Sequence, residues 1–98
     1  MINYTVISAS AAQNAFTGSI DKILVTSGSA AGATFTTIEF GDPYENPKRP
    51  QISESPDDYT PTSTVSGLQV LAGTYVDGPI GRVTVDTATG GFLIYLRN

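Results

Sequence analysis

Along this chain apolar and polar residues tend to alternate, and helical spacing of apolar residues is nearly absent, which points to strands with one buried face. Eight strands are predicted, at 3–8, 14–18, 21–27, 34–40, 64–70, 73–77, 81–86 and 91–97. They are rich in Val, Ile, Thr, Phe and Tyr and are separated by Gly, Ser, Asp or Asn. Alternation is clearest in Arg82-Val83-Thr84-Val85-Asp86, where Val83 and Val85 are expected to face a core and the other three to face solvent. Phe92-Leu93-Ile94-Tyr95-Leu96 is apolar on both faces, so it belongs centrally in a sheet or turns one face to another subunit. The Ala-rich stretch 9–15 contains Ser10, Gln13 and Asn14 and makes at most a short turn. The expected fold class is all-β, a two-sheet β-sandwich or jelly roll of about eight short strands.

A repeat lies at an offset of sixty residues. It matches Gly18 with Gly78, Ile20 with Ile80, Lys22 with Arg82, Ile23 with Val83, Val25 with Val85 and Ser27 with Thr87. Two meanings are open: two similar four-strand halves packed face to face, or a chance likeness between strands of similar composition. Between the halves lies the segment 41–63, with five of the six prolines (Pro43, Pro47, Pro50, Pro56, Pro61) and seven of the fourteen charged residues. So long a segment is either a solvated crossover or a proline-stiffened arm that lies against a neighbouring subunit.

Composition narrows the chemistry. The 98 residues suit a single domain over 1–98, and the nine serines and thirteen threonines supply a neutral polar surface where charged residues are only 14%. With no Cys and no His, disulfides, thiolate nucleophiles, imidazole bases and most transition-metal sites are excluded. The net charge of −4 and the scattered Lys22, Lys48, Arg49, Arg82 and Arg97 argue against binding to nucleic acid or to a membrane surface. The start of the sequence lacks a signal-peptide pattern, which predicts synthesis in the cytoplasm, and no apolar run is long enough for a membrane-spanning helix.

Carboxylates are the acid–base groups that remain. Asp42, Glu45, Glu54, Asp57 and Asp58 gather in the 41–63 segment, a poor setting for the rigid pair that hydrolases need, and Asp57-Asp58-Tyr59 lacks the spacing of an EF-hand. The glycine-rich turns precede no helix, so phosphate cradling has no support. No catalytic, cofactor-binding or metal-ligating residue is therefore expected, and the protein reads as a non-enzyme. Tyr44, Pro47, Lys48, Arg49, Pro50, Ile52 and Tyr59 are the candidate protein-contact residues, chosen as apolar, aromatic or Arg-type anchors in a stiffened segment.

The stretches that begin Gly18-Ser-Ile-Asp-Lys-Ile-Leu-Val-Thr-Ser-Gly-Ser and Ala72-Gly-Thr-Tyr-Val-Asp-Gly-Pro-Ile-Gly-Arg-Val-Thr-Val-Asp-Thr, with the apolar strand that closes the chain, resemble small virion proteins of tailed bacteriophages. The resemblance covers 14–40 and 72–96. It implies a capsid decoration (cement) protein, made in the host cytoplasm and incorporated in the virion, often a trimer, which binds the major capsid protein and holds the lattice together. This chain lacks an obvious long N-terminal arm, so the 41–63 segment would do the bridging. Two alternatives are a receptor- or carbohydrate-binding tip module, with Tyr44 and Tyr59 on a glycan, and a tail or connector component.

Overall fold

The computed structural model describes residues 4–9, 15–26, 32–42, 49–52, 60–86 and 90–97. The described chain is all-β: β1 (Tyr4–Ala9), β2 (Ala15–Val25), β3 (Ala33–Phe40), β4 (Gln51–Ile52), β5 (Ser63–Val70), β6 (Tyr75–Val85) and β7 (Phe92–Arg97). Among the described residues no helix is long and apolar enough to cross a membrane. All strands pair antiparallel in one sheet of order β1-β7-β2-β6-β3-β5, with β4 added to β2.

Two breaks expected from the sequence are absent. The predicted strands 14–18 and 21–27 form the single β2, and 73–77 with 81–86 form the single β6. The gaps left between those predicted strands, Ser19-Ile20 and Gly78-Pro79-Ile80, lie within strands that carry register shifts there instead of ending. At Gly78 only a glycine fits. An added Cβ would lie 2.7 Å from the Asp21 carbonyl oxygen and 2.8 Å from that of Ile20. The 41–63 segment in turn holds a strand that the sequence did not signal, β4.

Hydrogen bonding runs through all seven strands, so the two expected sheets are one sheet curled over on itself. A flat sheet would hold β7 and β3, with β2 and β6 between them, roughly 14 Å apart. The rings of Phe92 and Phe35 nevertheless meet edge to face with centroids 5.4 Å apart. Phe16 and Val25 stand at opposite ends of β2, roughly 30 Å of extended chain. Phe92, the cross-strand partner of Val25, still touches Phe16 at 5.8 Å between ring centroids. β2 therefore bends at its bulges and closes the sheet around one core of Phe16, Ile20, Ile23, Phe35, Ile38, Ile80, Val83, Phe92, Ile94 and Leu96. Val83 and Val85 face that core, and Arg82, Thr84 and Asp86 are half-buried on the other side.

The offset of sixty is the symmetry of the fold. Strand order reads alike from either edge once β1 is exchanged with β5, β2 with β6 and β3 with β7. The central pair β2·β6 crosses at Ile20 opposite Ile80. The halves are not the expected stacked four-strand sheets. Each is a three-strand unit, β1-β2-β3 and β5-β6-β7, whose third strand is inserted between the first two strands of the other. The exchange fastens both units into one core. The Cα radius of gyration, 12.2 Å, is close to the ~12.6 Å expected of a self-contained domain of this length.

Candidate interaction surface

The internal symmetry lets the two outer faces be compared residue by residue. On one half the cross-strand register sets Val6, Tyr95, Lys22 and Asp77 in one row and Ser8, Leu93, Leu24 and Tyr75 in the next. On the other half the equivalent rows are Thr64, Glu39, Arg82 and Thr17, then Ser66, Thr37, Thr84 and Ala15, of which Thr17 and Ala15 are buried. The inner rows match in character, as in Ile7-Ile94-Ile23-Val76 against Val65-Ile38-Val83-Phe16. The outer rows do not: Val6, Tyr95, Leu93 and Leu24 stand where the other half has Thr64, Glu39, Thr37 and Thr84. The fold tolerates hydroxyls and charge at these places, so packing does not explain the aromatic and aliphatic residues.

On the apolar face Val6 and Tyr75 are each 48% exposed. The Lys22 ammonium lies 5.0 Å from the ring centroids of both Tyr75 and Tyr95, and the two rings are 6.3 Å apart. This cation over two rings fixes their arrangement and removes a charge from competition for a partner. The Tyr95 phenol is raised above its ordinary value of 10.0, first by desolvation and then by the charge of Tyr75 and a hydrogen bond with it. On the polar face Arg82 and Glu39 form a 3.9 Å ion pair between neighbouring strands.

Of the contact residues expected in 41–63, Tyr44, Pro47, Lys48 and Tyr59 lie outside the described residues. Ile52 is brought to the edge of β2, where it pairs with Phe16 and is 54% exposed, while Arg49, exposed, and Pro50, half-buried, precede β4. Of the acidic residues there, Asp42 is taken up structurally: it makes an ion pair with Arg97 and accepts a hydrogen bond from the Ser19 hydroxyl at 3.4 Å. Among the described residues no three His, Cys, Asp or Glu side chains gather as metal ligands. The sequence marked Leu93 and Tyr95 through their apolar strand, but nothing local brought Val6, Lys22, Leu24 or Tyr75 to them. Comparisons with protein-family models, with curated proteins and with solved structures give no match.

Proposed function

We propose that this protein is a non-enzymatic structural component that acts by docking a preformed surface, specifically a decoration (cement) protein on the major capsid protein lattice of a tailed phage. The observation that carries the docking reading is the apolar outer face of β1, β7, β2 and β6, set against its Thr-, Glu- and Arg-bearing counterpart. Tyrosine and aliphatic anchors with few charges are the composition of an interface centre. The capsid assignment draws on the resemblance to tailed-phage virion proteins, with the 41–63 segment as a second contact and a trimer as the working assembly. Such a protein stabilises a mature shell by mass action, at about 2.7 kcal/mol when its concentration is 100 times its Kd.

The test is co-sedimentation with mature shells of the source phage that lack the protein. Wild-type chain is expected to saturate them, and a variant deleted for 47–56 to bind more weakly. Absence of saturable binding would refute the capsid assignment, and glycan binding would replace it with a tip module.

A further inference from the structure

The same symmetry exposes an unequal pair of strand edges. On the first half of β2, the edge opposite β6 is taken beyond the end of β7 by β4: Ile52 pairs with Phe16 and Gln51 with Thr17. The equivalent residues of β6 are Val76 and Asp77. Among the described residues Tyr75, Val76 and Asp77 pair only with β2. The Thr74 carbonyl accepts from the Val25 N–H, toward β2, so by strand alternation the N–H and C=O of Tyr75 and Asp77 point to the other side. At Pro79 that side is closed, because its carbonyl accepts from the Gly41 N–H at 2.9 Å. Among the described residues the unpaired stretch is thus as short as the one β4 fills.

A groove of about 420 Å³ lies beside this stretch, lined by Leu68, Val70, Leu71, Thr74, Tyr75 and Val76. Leu71, at 65%, and Tyr75 are among the most exposed large hydrophobic residues of the described chain. Main-chain groups facing outward, next to a pocket for one apolar side chain, are what strand addition requires.

We propose that the edge Tyr75–Asp77 with this groove is a strand-acceptor site for an extended peptide segment of a partner protein, carrying an apolar side chain opposite Val76 and a polar one opposite Asp77. The chain's own Gln51-Ile52, seated on β2, shows the chemistry of the ligand. The site rests on the internal symmetry and on an edge that no described strand besides β2 pairs, and it does not require the partner to be a capsid protein. The closure at Pro79 confines pairing to a short segment, which places selectivity in the groove.

The probe is a synthetic peptide with the sequence of residues 47–56, titrated to millimolar concentration into the intact 15N-labelled protein. Shift changes confined to 68–77 are expected, with at least tenfold slower hydrogen exchange at the Tyr75 and Asp77 amides. Asp77→Pro removes one outward donor and Leu71→Lys places a charge in the groove; either is expected to weaken binding at least tenfold while the remaining spectrum stays native. No perturbation, perturbation elsewhere, or unchanged binding by two folded variants would overturn the proposal. So would protection of these amides that grows with protein concentration alone, which would give the edge to a second copy. Peptide binding without shell binding removes the capsid reading and leaves the site; shell binding without peptide binding does the reverse.

Discussion

Single residues show where backbone and solvation leave no choice. Gly32 has φ +78°, and an added Cβ would lie 2.1 Å from the Val70 carbonyl oxygen, whereas Gly67, at φ +65°, has open space around its would-be Cβ. Gly32→Ala therefore meets both left-handed strain and a backbone clash and is expected to cost about 2 to 4 kcal/mol, against about 1 kcal/mol for Gly67→Ala. Urea unfolding of the two variants checks this, and equal losses would contradict it. Tyr95 stays neutral to higher pH than a free tyrosine because burial and Tyr75 disfavour the phenolate. The linked stability is fully present below the unfolded value of 10.0 and is lost as pH rises through the raised folded value. Tyr75→Phe leaves desolvation but removes the other two causes, so an NMR titration of the Tyr95 ring is expected to move down toward 10.0. An unchanged titration would mean that the tyrosines are not coupled.

Elements were legible in the sequence to the extent that alternation reports them. The two faces of 82–86 followed from side-chain period alone, and of the two readings open for 92–96 the central place in the sheet is met, since β7 lies between β1 and β2. What alternation cannot report is which strand lies next to which. Thr37 and Leu93 occupy equivalent positions, yet nothing near either says that β3 inserts beside β6 and β7 beside β2. Glycine and proline at 78 and 79 carry the local signature of a turn, and only the crossing with β2 makes them a bend inside a strand. β4 is too short to show a period. The curled sheet also has a load point. Phe92 touches both Phe16 and Phe35, so Phe92→Ala removes an aromatic contact that joins the two halves and is expected to cost about 3 to 5 kcal/mol. A loss below about 1.5 kcal/mol in urea unfolding would show that the halves hold together without it.

At the scale of the whole molecule, internal symmetry and the exchange of third strands let one chain close its own core. The two outer faces differ: a polar face with a cross-strand ion pair on one half, tyrosines and aliphatic residues on the other. This difference was out of reach of the sequence, because Val6, Lys22, Tyr75 and Tyr95 are far apart in the chain and meet only through register. The contact residues read from 41–63 came instead from composition, and of them Ile52 pairs with β2. The trimer expected for a decoration protein would have a mass of about three times 10.3 kDa by light scattering. A monomer at all concentrations would restrict assembly to the lattice.

On this reading the apolar face serves a partner and not the fold. It is tested by giving that face the residues of its own counterpart, in the combined variant Val6→Thr, Leu24→Thr, Leu93→Thr and Tyr95→Glu. Because the other half folds with those residues, and Glu at 95 would face Lys22 as Glu39 faces Arg82, the variant is expected to remain within about 2 kcal/mol of wild type in urea unfolding. The decisive measurement is the affinity of this folded variant for mature shells beside that of the wild type. A loss of at least a hundredfold is the predicted result; binding equal to wild type would contradict the account.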